Sequence, residues 1–115
     1  MTEQAEEYLI AEKYLKEMLE ADDNGDFDLY TRRFEEDCLN GFTEEIFRND
    51  IAHMHEENGM HSGYDYLGNL RNQTIDDKDV YRTVWKGIYE KRDAIIEMGV
   101  YKKKGVWYVI RSAVF

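Results

Sequence analysis

Asp22, Asn24, Asp26 and Asp28 set oxygen-bearing side chains at alternate positions, the spacing of a calcium-binding loop. Such a loop needs Gly at its sixth position and a bidentate Glu at its twelfth; here those are Phe27 and Arg33, so the stretch reads as a capping turn. His53, His55 and His61 form the other metal-like cluster. On a helix, residues two apart point to different faces, so His53 and His55 cannot share an ion; His53 with Glu57 has the right spacing, but no His-Glu-x-x-His pattern is present. Cys38 has no His near it in sequence to act as its base. Glu97 and Arg111 fall mid-strand in neighbouring strands among apolar residues, which suits a structural ion pair or a subunit contact, with a polar pocket lining as the alternative. The aromatics Tyr81, Trp85, Tyr89 and Trp107 read first as strand core and second as the lining of a ligand cavity. Neither a phosphate-cradling Gly-rich loop nor a Gly-x-Ser-x-Gly elbow occurs, so no cofactor and no metal are expected.

The elements that must position these groups are legible from periodicity. Tyr8, Ala11, Leu15 and Met18 form one stripe of a first helix over about 3–21, which ends in the turn-forming Asp22, Asp23, Asn24 and Gly25. Asp26 caps a second helix with its stripe at Phe27, Tyr30, Phe34 and Cys38, closed by Asn40 and Gly41. Thr43 caps a third, with Glu44 and Glu45 complementing the macrodipole and Phe47, Ile51 and Met54 facing inward. After Gly59 the period becomes alternating, and four strands follow. The first runs through Tyr64, Tyr66 and Leu70 to a turn at Asp76 and Asp77. The second, over about 80–91, puts Tyr81, Thr83, Trp85 and Tyr89 on one face. The last two, 94–102 and 106–115, are joined through Lys103, Lys104 and Gly105. In the final strand Trp107, Val109, Ala113 and Phe115 share one face, with Tyr108, Ile110 and Val114 on the other. Two apolar faces predict that an identical sheet covers the second one, hence a homodimer through the sheet face.

At 115 residues, 43% of them apolar and with no Pro or low-complexity tract to mark a linker, the chain suits one domain spanning 1–115. The net charge of −10 argues against nucleic acid as partner, because binders of the phosphate backbone present a basic stripe. The acidity is uneven: residues 1–60 carry eighteen acids and five bases, whereas residues 61–115 carry seven acids and ten bases. No apolar run long enough to span a bilayer and no signal-peptide pattern is present, and one unpaired cysteine fits a reducing compartment. A cytoplasmic protein with no membrane contact is the expectation.

Three helices followed by a long antiparallel sheet resemble the nuclear transport factor two-like superfamily, also called cystatin-like, which includes ketosteroid isomerase and the SnoaL-like cyclases. The residues carrying the resemblance are Ala21, Asp22, Gly25, Asp26, Phe27 and Asp28 between the first helices, and Gly105, Val106, Trp107, Tyr108, Val109 and Ile110 in the last strand. It implies an α+β fold in which three N-terminal helices pack on a curved four-strand antiparallel sheet, forming a cone with a pocket between the first helix and the sheet. In enzymatic members a pocket carboxylate acts as base beside a Tyr or acidic donor. Candidates for the lining are Tyr14, Tyr30, Tyr66 and Trp85, together with Tyr89, Glu97, Trp107 and Arg111. The expected function is binding of a small apolar ligand or a protein partner; the alternative is a cofactor-free isomerase, cyclase or dehydratase with a carboxylate base. An isolated carboxylate with a raised pKa in a pocket, within hydrogen-bond reach of a Tyr hydroxyl, would favour the enzyme; a cavity filled by side chains would sink it.

Overall fold

The protein is described from a computed structural model covering residues 2–115. Helix α1 (Thr2–Asn24) is followed by the short α2 (Phe27–Thr31), a 3₁₀ turn at Glu36–Leu39 and α3 (Glu44–Asn58). The strands β1 (His61–Ile75), β2 (Lys78–Tyr89), β3 (Asp93–Lys103) and β4 (Val106–Val114) then form one antiparallel sheet in sequence order, so β1 and β4 are its edges. The α+β class, helices first and a four-strand sheet after, is that expected from the sequence.

The caps act where their residue types allow. Asp26 accepts from the Leu29 N–H at 3.1 Å and Thr43 from the Ile46 N–H at 3.2 Å, satisfying donors that the first helical turn leaves open. Asp76 and Asp77, and likewise Lys104 and Gly105, all have positive φ between paired strand ends, the geometry of two-residue hairpin turns whose twist matches the sheet.

Two expectations are corrected. The second helix does not reach Cys38. The Thr31 hydroxyl bonds back to the Phe27 carbonyl, Arg33 forks onto Glu17 of α1 at 2.9 and 3.0 Å, and Val109 N–H donates to the Arg33 carbonyl at 2.8 Å. Phe34 thereby bridges to β4, and this tertiary pairing outweighs the local helical pattern. The face assignment of the last strand is also changed. A bulge opposite Gly99 and Val100 leaves Ile110 without a partner and reverses the alternation beyond it. Val109 is fully buried and Val114 packs on the core, but Ala113 lies opposite Glu97 on the other side of the sheet.

The core lies between α1 and the sheet. Ala11, Tyr14, Leu15 and Met18 of α1 pack on Trp85, Ile96, Met98, Val100 and Val109. A second cluster joins the helices, with Ala21, Leu29 and Phe47 at its centre.

Candidate functional site

The expected pocket between α1 and the sheet is filled. Tyr14 and Trp85 are only 5% and 1% exposed and close that interface with neighbouring aliphatic side chains. The open space lies elsewhere, between α3 and β4, where α3 leans on the other helices through Phe47; its Ile51 and Met54 fill the gap to β4 only in part, although Met54 touches the main core.

This cleft is about 330 Å³. Ile51 and Met54 of α3, with Phe42 and Phe47, form an apolar wall, and Ser112 to Val114 of β4 with the following Phe115 form the facing one. Tyr30 packs on Phe47 at 4.8 Å between ring centres, the rings tilted by 43°, and supplies the floor. The polar lining is Asp22, Asp50, His53, Glu57, Asn58 and Arg92. Phe115, 57% exposed, stands at the mouth. A second hollow of about 240 Å³, lined by Phe34, Cys38, Leu39 and Ile110, adjoins the first and shares Tyr30, Phe42 and Ser112 with it.

Asp22 is the unusual group. Burial, then the neighbouring Asp23 carboxylate, pushes its pKa up to about 7. It stands in the last turn of α1, which carries no basic residue, so the negative end of the helix dipole also opposes its charge. Asp23 is paired with His61 at 3.2 Å, whereas Asp22 has no ion pair among the described residues. Its charge reaches two phenols. Tyr30 is raised to about 12 by burial and then by Asp22, with the Ser112 hydroxyl pulling it down and Asp50 adding to the rise. Tyr89 is raised by burial, then by Asp22 and Asp23, and its hydroxyl is buried without a hydrogen-bond partner.

Of the eight lining candidates, Tyr30 reaches the cleft and Arg111 borders the adjoining hollow. Tyr14 donates its hydroxyl to the Trp107 carbonyl at 3.2 Å, and Trp85 donates its indole N–H to Thr83 at 2.8 Å; both are core. Trp107 packs against that core and Tyr89 belongs to it, while Tyr66 lies at the β1 edge with its hydroxyl on Asn69. Glu97 and Arg111 do form an ion pair, joined by Arg82 at 2.8 Å. Burial raises the Glu97 pKa, but the Arg111 hydrogen bond and the two guanidinium charges outweigh it and hold it below its usual value. The three histidines separate: exposed His53 meets Glu57 at 3.4 Å, His55 belongs to the same helix, and His61 joins Asp23 across from β1.

Sequence reasoning missed Asp22, Asp50 and Arg92, which become neighbours only once α3 folds back. One signal was available for Asp22, an acid at a helix C-terminus already crowded with Glu20 and Asp23. No family model, curated protein or solved structure matches the chain. Among the described residues no helix is long and apolar enough to cross a membrane.

Proposed function

We propose that this is a binding domain whose working site is the cleft between α3 and β4, and that the cleft takes an apolar group carrying one polar atom to Asp22. The observation that carries this reading is the convergence of apolar walls on a carboxyl that titrates near neutrality. A carboxyl set against both burial and the helix dipole lowers stability, and such conflicts concentrate where a ligand resolves them. Below its pKa the carboxyl donates to a carbonyl; above it, it accepts from an amide or hydroxyl.

A second reading is favoured by the same residue. A carboxyl with a pKa of about 7, beside a phenol held at about 12 and so protonated, suits removal of a proton next to a carbonyl. That would make the protein a cofactor-free isomerase, cyclase or dehydratase, and we extend the superfamily resemblance as a proposal on the same terms. We further propose that two copies associate through the outer sheet face, and that the single cysteine reflects a reducing, cytoplasmic setting.

One experiment separates the two readings. An uncharged naphthalene ketone should bind the cleft, weaken at least tenfold in Ile51→Trp, and change affinity as pH crosses about 7 in wild type but not in Asp22→Asn. Deuterium uptake from solvent next to its carbonyl, lost in Asp22→Asn, would establish the enzyme; binding without uptake leaves the binding domain. Binding indifferent to Ile51→Trp would sink both.

A further inference from the structure

The structure assigns a ligand class to this cleft: an extended peptide segment of a partner protein, which adds to β4 as a fifth strand. The inference rests on the cleft being a binding site. Its first support is the direction of the β4 backbone. Phe115 N–H donates to the Ile95 carbonyl at 2.8 Å, and Ile96 faces Val114 in register. In an antiparallel ladder this makes Ile96 and Val114 a non-hydrogen-bonded pair, and Met98 with Ser112 the next one. The N–H and C=O of Ser112 and Val114 therefore turn away from β3, towards the open edge, and both residues line the cleft.

The second support is a contrast between the two edges. β1 is broken by register shifts at three places, between His61 and Gly63, Tyr66 and Gly68, and Leu70 and Gln73, which spoils it as a template for pairing. β4 is covered by Arg33 and Phe34 at Val109, bulges once at Ile110, and is then regular through Val114. The two hollows follow that stretch one after the other, from Ile110 to Phe115, about 17 Å at the rise of an extended strand. Such a shape fits a strand of about six residues better than a compact molecule. Alternate side chains of that strand would enter the space beside Ile51 and Met54, giving main-chain affinity with side-chain selectivity.

The third support is charge. Asp22, Asp50 and Glu57 line the cleft together with two bases, Arg92, which keeps its charge while donating to the Asn58 side chain at 2.9 Å, and His53, which meets Glu57. Asp50 has no ion pair among the described residues, and the protein carries a net −10. Successive side chains of a strand point to opposite faces, so those entering the cleft meet its apolar walls and its acids together; the segment that fits sends in apolar stems with basic ends, as lysine has, at alternate positions.

The probe is a blocked heptapeptide alternating valine and lysine, titrated into the full chain and followed by amide chemical shifts. Shifts centred on Ser112 and Val114 are expected, with affinity falling as salt rises. Ser112→Pro removes an outward N–H that β3 does not use and should weaken binding at least tenfold, while Leu67→Ala, at an exposed position of the opposite edge strand, should bind normally. Should Ser112→Pro fold poorly, methylating the peptide's own alternate amides must produce the same loss on wild-type protein. Binding untouched by both changes overturns the inference. No peptide binding, with the naphthalene ketone still held and still blocked by Ile51→Trp, overturns it and leaves the cleft reading standing; failure of both probes removes both. A concentration-dependent dimer abolished by Ser112→Pro would show that a second copy occupies the edge instead.

Discussion

Two carboxyls of this chain are perturbed in opposite directions, and their effects on stability have opposite signs. Asp22 is raised to about 7 in the folded protein against 3.8 for the free side chain. The folded state then holds the extra proton between those values, so its contribution to stability is complete below about pH 4 and is lost as pH rises through about 7. Glu97 is lowered, so its contribution is present above its unfolded value and lost as acid is added. Asp22→Asn should therefore stabilise the protein by about 2 kcal/mol at pH 8 and by nothing at pH 4, as read by urea unfolding. That is about half of what a three-unit shift gives at about 1.36 kcal/mol each, because Asp22 keeps partial contact with water. An equal gain at both pH values would contradict the assignment. The Glu97 pairing was legible in the sequence, since a charge amid strand residues needs a partner; Asp22 was read as a turn former because its burial depends on α3, more than twenty residues away.

At the level of elements, the cleft depends on how α3 is tethered. Gly59 ends that helix at φ 78 and ψ −162, a conformation essentially reserved for Gly, and a Cβ there would stand 2.8 Å from the Glu90 Cβ. Glu90 uses this close approach to accept from the Met60 N–H at 2.8 Å, while Lys91 N–H donates to the Asn58 carbonyl. Gly59→Ala should lower stability by about 2 kcal/mol and shift the amide resonances lining the cleft, whereas Gly63→Ala, whose Cβ would meet only the Ile88 Cδ1 at 3.9 Å, should leave the cleft resonances in place. The starts of α2 and α3 and both tight hairpins were readable because their signals are local: Asp26, Thr43, Asp76 with Asp77, and Lys104 with Gly105. The early end of α2 and the bulge at Ile110 were not. Each arises from contact between Arg33 or Phe34 and β4, which no window of sequence contains.

For the whole molecule, the outer sheet face is less apolar than an unbroken alternation of β4 suggested. Val109 and Val114 turn to the core, and Arg82, Glu97 and Arg111 occupy the middle of the outer side with Ile95 44% exposed beside them. A sheet-to-sheet dimer would bury this charged triad as well as Ile95. It should therefore be weak, and sedimentation equilibrium should show dimer growing over the micromolar range and shrinking on Ile95→Glu; a monomer throughout that range would refute the association.

The partition of charge acquires a spatial meaning in the folded chain. The strongly acidic first sixty residues end where the sheet begins, so the helical layer is negative and the strand layer slightly positive. The molecule thus has a permanent electric dipole directed from helices to sheet. In an external field, or near a charged surface, it should orient before it touches: an anion exchanger meets the helices, and a polyanion meets the strands. Two copies meeting sheet to sheet would point their dipoles at one another with the acidic layers outermost, as far apart as the fold permits.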